Sequence, residues 1–388
     1  MRANLLVSLV MTSVAISAGS ARSDVFVGVA APAYGPLKAY GDQLRVGVEA
    51  AIRDLNMAGG VLGQQLVLQS ADDFCEPDQA TAAANQFAGA GVALVVGHAC
   101  SAASLAAAPS YDGRVISITP SSTATALTAT PRPGLFRLIG QDDDQGRTAA
   151  LLLVEYFREK VAIIHDNSVY GQSLAKTIIE QMKIELKKDE AKKLNDPIAY
   201  SMNLSAGRYY MSGPNPFSVA EAAKKALSMS PEAVFLIGLA PDMVSLAAAL
   251  RGSPSNPLII GSDGLAVLNY ASADGTLMTF QHDPRTLAPA TAVVDQFRQD
   301  KIEPAGYVLT SYAAVQAWAQ AVKLAGTIAF KETNAELQKG TFPTVLGDVT
   351  FDKSGNWLGA NFELHRWEGG DYSSFTPVCP PLCPKPAE

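Results

Sequence analysis

Two short turns rich in hydroxyl groups, at residues 98–101 and 119–123, each follow an apolar segment. Their hydroxyl side chains include Ser101, Ser121, Ser122 and Thr123. In open α/β sheets, ligands bind beyond the carboxyl ends of the strands, where the next helix presents free N–H groups. Donors gathered at two neighbouring strand ends would bind one anionic group, most simply a carboxylate. Helix capping is the alternative, but it explains one hydroxyl per turn and leaves the cluster unexplained.

An acid and an aromatic ring follow later apolar segments. Asp263 stands between small residues in the sequence Gly-Ser-Asp-Gly at 261–264, where the cation of a ligand could approach. A helix N-cap is an equally good interpretation of this aspartate. Tyr170 follows the apolar segment 161–165 and could lay its ring on a ligand, with ordinary packing between lobes as the alternative. The pattern favours a site with partners for both signs of charge.

The sequence lacks the motifs of common enzymes and cofactor sites. Its four histidines have no metal-ligand spacing with one another or with the cysteines. It also has no phosphate loop, dinucleotide fingerprint or nucleophile elbow, so we expect no cofactor and no metal. The acidic run Asp142–Asp144 is interpreted as a solvated turn that caps a helix. A hydrolase that uses this run or Asp263 with His165 is an alternative without a motif in its favour.

Residues 1–23 have the pattern of a secretory signal peptide. Arg2 precedes an apolar stretch, Leu5–Ile16, and small residues follow at Ser17–Ser23. An apolar stretch of about 12 residues is too short to span a bilayer, which needs about 20. No cysteine lies near the cleavage region, so a lipid anchor is not expected. We therefore expect an exported protein in the periplasm of a Gram-negative bacterium.

The excess of acidic residues narrows the possible partners of the protein. The chain has 37 acidic and 30 basic residues, which argues against nucleic acid and anionic membranes as partners.

In an exported protein, the four cysteines form two plausible disulfides out of three possible connectivities, Cys75 with Cys100 and Cys379 with Cys383. The second pair could instead form a metal or redox site. Two adjacent prolines and the absence of a nearby histidine favour a disulfide there.

The elements that must position these residues follow an α/β pattern. Short apolar runs rich in valine and isoleucine alternate with longer segments of helical period, which indicates parallel strands flanked by helices in two domains. The first helix has apolar residues at helical spacing from Leu44 to Leu55, with Asp42 in its first turn. Tyr200–Phe217 is interpreted as a long loop. The predicted strands are Val25–Val29, Leu66–Ser70, Ala93–Gly97, Val115–Ile118, Val161–His165, Ala233–Ile237 and Leu258–Ile260.

At these same positions the sequence resembles the periplasmic leucine/isoleucine/valine-binding proteins of ABC transporters. The matching segments run in order along the chain, at residues 40–43, 71–73, 97–101, 118–120, 138–142, 165–166, 170–171 and 311–314. The resemblance implies the two-lobed type I periplasmic binding protein fold with three crossovers between the lobes. It implies an N-terminal lobe from residues 24–141 and 284–345, and a C-terminal lobe with tail from residues 142–283 and 346–388. It also implies the Cys75–Cys100 disulfide.

The resemblance also implies roles for individual residues. Ser101 and Thr123 would hold the ligand carboxylate. The ligand ammonium group would meet the Ser121 carbonyl, the Thr123 hydroxyl and the Asp263 carboxylate. The aromatic walls would come from Tyr40, Tyr170 and Tyr307.

Two differences from the family pattern bear on the ligand. Asp263 stands where a glutamate is typical of branched-chain binders, and Leu239 stands where a pocket tyrosine is expected. The leading hypothesis is a monomeric solute-binding protein that delivers a small carboxylate, most simply an amino acid, to a membrane ABC permease. An amide, a urea-like compound or an aromatic acid is the alternative ligand. A ligand sensor that docks on another protein is the alternative role.

Overall fold

The computed structural model describes residues 23–156, 161–188, 200–203, 216–267 and 274–376. The predicted signal peptide, apart from Ser23, and the predicted Cys379–Cys383 pair lie outside these residues. Among the residues described, no helix is both long and apolar enough to cross a bilayer.

The first sheet has five parallel strands in the order β2-β1-β3-β4-β5. These strands are β1 Val25–Ala30, β2 Leu66–Ala71, β3 Leu94–Gly97, β4 Ile116–Thr119 and β5 Leu135–Arg137. The helices between the first four strands are α1 Lys38–Met57, α2 Pro77–Gly89 and α3 Ser101–Tyr111. β3 and β4 are buried along their whole length, as expected of strands covered by helices on both faces.

The second sheet has seven strands in the order β14-β13-β10-β9-β8-β6-β7. Its parallel strands are β6 Val161–His165, β7 Tyr200–Asn203, β8 Ala233–Ile237, β9 Leu258–Gly261 and β10 Leu277–Gln281. The helices of this part of the chain are α4 Asp142–Tyr156, α5 Val169–Lys188, α6 Pro216–Leu227 and α7 Ala240–Arg251. Two antiparallel strands, β13 Phe362–Glu368 and β14 Asp371–Ser374, complete one edge.

The segment between β10 and β13 returns to the first sheet. It contains helices α8 Thr291–Gln299, α9 Val308–Ala325 and α10 Phe330–Lys339, followed by the hairpin strands β11 Phe342–Thr344 and β12 Gly347–Val349. Helix α9 packs against α1 and against β3 and β4. The chain thus passes between the two sheets after β5, after β10 and after β12, which confirms the predicted fold with three crossovers. The boundary predicted at 345–346 falls inside the β11–β12 hairpin, and the lobe boundaries stay predictions.

Each of the seven predicted strands is present, with its ends within one residue of the prediction. Two other predictions need correction. Helix α1 begins at Lys38, so Asp42 lies beyond its first turn. The predicted loop Tyr200–Phe217 is wrong at its two ends, where the structure has β7 and the start of α6, and its middle lies outside the described residues. Residues 200–203 form a strand because they pair with β6. Pairing with a distant segment does not require an apolar period in the local sequence, so the sequence pattern did not predict this strand.

Candidate ligand-binding site

A cavity of about 80 Å³ lies between the two sheets, at the carboxyl ends of their parallel strands. On the first-sheet side it is lined by the turns after β2, β3 and β4 and by Tyr40 of α1. On the second-sheet side it is lined by the turns after β6, β8 and β9. The structure brings seven of the nine predicted ligand-binding residues to this cavity: Tyr40, Ser101, Ser121, Tyr170, Leu239, Asp263 and Tyr307.

The N-terminus of helix α3 forms one end of the cavity. Cys100 has an extended backbone and Ser101 is the first helical residue, so the N–H groups of the first turn have no partner within the helix. Ala99, Cys100, Ser101 and Ala102 all line the cavity. The positive end of the helix dipole therefore lies at the cavity wall, which favours an anionic group there.

Hydroxyl groups hold this helix end in place. The His98 carbonyl accepts hydrogen bonds from the hydroxyls of Ser104 at 3.2 Å, Thr119 at 3.0 Å and Ser122 at 3.0 Å. The Ser121 hydroxyl donates to the Ala99 carbonyl at 2.9 Å. These hydroxyls thus fix the turn from which α3 starts.

A disulfide joins the same turn to the segment after β2. Cys75 and Cys100 are bonded, with 5.4 Å between their Cα atoms, which confirms the predicted pairing. Next to this bond, the buried His98 ring lies 2.6 Å from the Asp73 carboxylate and 3.0 Å from the Tyr111 hydroxyl. Both polar atoms of the imidazole are therefore satisfied inside the protein.

Ser122 and Thr123, which were predicted to bind the ligand, do not line the cavity. Ser122 uses its hydroxyl on the His98 carbonyl and on Ser104, 2.7 Å away. The Thr123 hydroxyl is buried and has no hydrogen-bond partner among the described residues. Their roles as ligand contacts stay predictions.

The Asp263 carboxylate forms the other end of the cavity. Asp263 begins a short 3₁₀ turn after β9 and is only 2% exposed. One carboxylate oxygen accepts a hydrogen bond from the Tyr170 hydroxyl at 2.5 Å, and the other accepts one from Tyr307 at 3.1 Å. Burial raises the pKa of this carboxyl, and the two tyrosine hydroxyls partly oppose that shift. A cationic group of a ligand would compensate the buried charge.

Contacts between the lobes close the cavity. The Tyr40 hydroxyl donates to the Gly264 carbonyl, and the Gln43 amide donates to the Ala266 carbonyl at 3.1 Å. Within the first-sheet side, the rings of Tyr40 and Tyr307 stack with their centroids 6.4 Å apart. Leu239, in the position where a tyrosine was expected, adds an apolar part of the wall.

A second buried acid, Asp142, lies close enough to Asp263 to interact with it electrostatically. Neither of its carboxylate oxygens has a hydrogen-bond partner among the described residues. Burial raises the pKa of Asp142 to about 7, the nearby Asp263 carboxylate adds to this shift, and the Arg137 guanidinium opposes it. The prediction of a solvated turn fits the exposed Asp143 and Asp144 and is wrong for Asp142. A run of three acids gives no sequence signal that one of them is buried.

The residues of the alternative hydrolase do not meet at the cavity. His165 lies at the end of β6 and lines a separate groove along α5, whereas Asp263 lines the cavity. Within the described part of the chain, no group of three or more histidine, cysteine or acidic side chains could hold a metal ion.

Comparison with known proteins identifies the relatives of this chain. Residues 24–371 match the family described as periplasmic binding protein. A Leu/Ile/Val-binding protein homolog 1 from Brucella suis biovar 1 is 34% identical over 378 residues, which cover 95% of this chain and 97% of that relative. The fold is similar to that of a leucine-binding protein from Thermotoga maritima, with a TM-score of 0.77, 21% identity and coverage of 92% and 99%. It is also similar to a Rhodopseudomonas palustris solute-binding protein in complex with benzoate, with a TM-score of 0.76, 18% identity and coverage of 90% and 95%.

Proposed function

The chain belongs to the periplasmic binding protein family, whose members are ligand-binding components of ABC transporters and not enzymes, and we propose that its own ligand is an α-amino acid. One observation carries this proposal. The N-terminus of α3 and the Asp263 carboxylate both line one small cavity. A carboxylate at the first and an ammonium group at the second would each meet a partner of opposite charge.

The charge of the cavity supports an amino acid over a simple aromatic acid. The described lining residues include two acids, Glu76 and Asp263, and no lysine, arginine or histidine. A ligand with a carboxylate alone, such as the benzoate of the Rhodopseudomonas protein, would bring a negative group into the cavity that contains the buried Asp263 carboxylate. An ammonium group on the ligand removes that penalty.

A neutral amide is the second candidate ligand, and the state of Asp263 favours it. Burial raises the pKa of this carboxyl and so favours its protonated form, while the hydrogen bonds from the Tyr170 and Tyr307 hydroxyls oppose the shift. A protonated aspartate could donate a hydrogen bond to an amide carbonyl.

A thermal-shift screen of the mature protein separates these ligand classes. The protein is first unfolded and refolded to remove carried-over ligand, and is then mixed with amino acids, amides or aromatic acids. A ligand that binds only the folded state raises the melting temperature by mass action. We expect a shift with α-amino acids; a shift confined to amides or aromatic acids would overturn the proposal.

Transport and export belong to the same proposal. The protein would be exported by its first 23 residues, capture the ligand as a monomer in the periplasm and deliver it to an ABC permease in the inner membrane. Growth of a deletion strain on the identified ligand as sole nitrogen source tests delivery. Normal uptake without the protein would contradict it.

A further inference from the structure

One turn in the cavity wall is held by contacts that lie outside the cavity. This turn, Ser121–Ala124, follows β4 and contributes Ser121 to the wall. Its Ala124 N–H donates to the hydroxyl of Ser101, which also lines the cavity, at 3.3 Å. A shift of the turn would therefore disturb the start of α3 as well.

The side chain that holds this turn is Arg137, the last residue of β5. Its guanidinium donates to the Ser122 carbonyl at 3.4 Å and to the Ala124 carbonyl at 2.9 Å. The Thr123 carbonyl between them accepts from the Asp142 N–H at 2.9 Å. Arg137 and Asp142 stand at the two ends of the crossover after β5. Three consecutive carbonyls of the turn are thus bonded to that crossover.

Arg137 is also joined to the crossover after β12, which contains Asn356. The Asn356 side-chain oxygen accepts from Nε of Arg137 at 3.1 Å and from Nη2 at 2.8 Å. The two backbones are bonded as well, since the Arg137 N–H donates to the Gly355 carbonyl at 2.8 Å and the Trp357 N–H donates to the Arg137 carbonyl at 3.1 Å. One guanidinium therefore connects the cavity wall with two of the three crossovers.

The chemistry of Arg137 fits a geometric role better than an ion pair. The side chain is fully buried, and its hydrogen-bond acceptors among the described residues are all neutral oxygens, with Thr128 and Gln141 as the remaining two. Burial lowers the pKa of Arg137 to about 10, so a cation is buried here at neutral pH, which costs free energy. What the guanidinium provides in return is five N–H donors in a rigid planar fork.

A ligand can enter the cavity only if its two sides separate. The Tyr40 hydroxyl and the Gln43 amide on the first-sheet side donate to carbonyls of Gly264 and Ala266 on the second-sheet side. Separation breaks these bonds and changes the backbone angles in the crossovers, where the chain passes between the sheets. Arg137 lies where two crossovers meet the turn of the wall, so the same movement acts on its bonds.

We propose that Arg137 is a positioning residue that couples the turn Ser121–Ala124 to the two crossovers, so that closure of the lobes and placement of the cavity wall occur together. Arg137 is not among the described residues that line the cavity, so its effect on a ligand is indirect. For the same reason the inference holds for an amino acid, an amide or an aromatic acid, and it goes beyond the proposed ligand.

The variant Arg137→Lys tests this role, because lysine keeps the positive charge and lacks the fork. L-Leucine is the first probe for calorimetric titration. If wild-type protein does not bind leucine, the compound of the thermal-shift screen with the largest shift replaces it. We expect Arg137→Lys to bind the probe at least about tenfold more weakly than wild type.

A distance measurement separates coupling from loss of stability alone. Ala126 and Lys176 are exposed residues that line the same groove beside the cavity, the first after β4 and the second on α5. Spin labels introduced there as unnatural amino acids report the separation of the lobes. With the probe bound, wild type should give one narrow distance distribution and Arg137→Lys a broader one that extends to longer distances. A residue that only stabilised the fold would lower the melting temperature and leave this distribution unchanged.

Asn356→Ala supplies an independent variant that keeps the Arg137 bonds to the turn and removes the acceptor in the crossover after β12. Its loss of affinity should not add to that of Arg137→Lys, so the double variant should stay within about threefold of Arg137→Lys alone. Arg132→Lys is the control, because Arg132 is exposed and binds Asp112 at 2.9 Å, and it should behave as wild type.

Several results would overturn the inference. Arg137→Lys with an affinity within about threefold of wild type and the wild-type distance distribution would do so, as would losses that add in the double variant. If Arg137→Lys does not fold, Asn356→Ala with wild-type affinity and distances rejects the coupling. If no compound of the screen binds wild type, the proposed function fails separately. The labelled proteins without ligand then decide, and equal distributions for wild type and Arg137→Lys would reject the role of Arg137.

Discussion

The two ends of the cavity are built in different ways. At the first-sheet end, the side-chain hydroxyls of Ser121 and Ser122 are bonded to backbone carbonyls, and the disulfide fixes the start of α3. At the second-sheet end, Asp263 is buried in a setting that raises its pKa. At the first end the hydroxyls are bonded within the protein, and the first turn of α3 offers backbone N–H groups. The second end contains a buried acid that a ligand cation would stabilise. The first end therefore positions the ligand, and the second end recognises its charge.

Removal of the charge at the second end should have the largest effect on ligand binding. We expect Asp263→Asn to weaken amino-acid binding by at least about 100-fold, because the ligand ammonium would then be buried without an anionic partner. Calorimetric titration of wild type and variant with the same amino acid measures this loss. Equal affinities would show that Asp263 does not bind an ammonium group and would favour the amide ligand.

The buried Asp142 predicts a pH-dependent stability effect. Its pKa is about 7 in the folded protein and near 3.8 when unfolded, so the folded state holds more protons and is destabilised as the pH rises from about 4 to about 7. The variant Asp142→Asn has no carboxyl group to titrate at this position, so its stability should not fall for this reason. Relative to wild type, it should gain up to about 4 kcal/mol across that range. Thermal unfolding at several pH values measures the difference.

The exposed Asp144 provides a matched control for this experiment, because it lies in the same helical turn. Asp144→Asn should follow the wild-type pH profile. A stability difference between Asp142→Asn and wild type that stays constant with pH would contradict the raised pKa of Asp142.

The disulfide should matter more for stability than any single hydroxyl at the first end. The bond joins residues 25 positions apart, and its loss in the double variant Cys75→Ser/Cys100→Ser should lower the free energy of unfolding by about 3 kcal/mol. Denaturant unfolding gives this value. We also expect weaker ligand binding, since the α3 terminus and the Phe74–Glu76 turn lose their link. A variant with unchanged stability and affinity would show that the disulfide is not needed to hold the first-sheet end of the cavity in place.

The smallest effects are expected when single hydroxyl groups are removed. These variants distinguish a hydroxyl that holds the turn in place from one that faces the ligand. Ser122→Ala should lower stability by about 1 kcal/mol and change ligand affinity less than about threefold, because its hydroxyl binds the His98 carbonyl. Ser101→Ala should weaken binding more than it destabilises, since its hydroxyl lies at the cavity wall. Parallel titration and unfolding of both variants test this. The reverse pattern would mean that Ser122 contacts the ligand.

Much of the fold could be predicted from local sequence patterns. Most of the seven predicted strands are runs of largely apolar residues, which buried parallel strands produce, whereas Leu66–Ser70 ends in polar residues and forms the edge strand β2. No such apolar run marks β5, which is three residues long and contains the buried Arg137, or β10, in which Thr279 and Gln281 are buried among apolar neighbours. β13 alternates only in part, and its place in the sheet depends on a distant strand.

Part of the candidate site could be predicted from a general rule about α/β sheets, and part from the family resemblance. The positions after strand ends led to Ser101, Ser121 and Asp263, because ligands bind at the carboxyl edge of such sheets. Tyr40, Leu239 and Tyr307 came from the family resemblance. The contribution of the turn after β2, which brings Phe74 and Glu76 to the cavity wall, could not be found, since it depends on positive φ angles at Phe74 and Cys75 that tertiary contacts hold.

The most direct test of the central claim compares one amino acid with two analogues that each lack one charge. The ligand identified by the thermal-shift screen is titrated alongside its des-amino acid and its carboxamide. If the ligand lies between the α3 N-terminus and Asp263, both analogues should bind at least about tenfold more weakly than the parent. A des-amino acid that binds as tightly as the parent would contradict the role of Asp263, and a carboxamide that does so would contradict the role of α3.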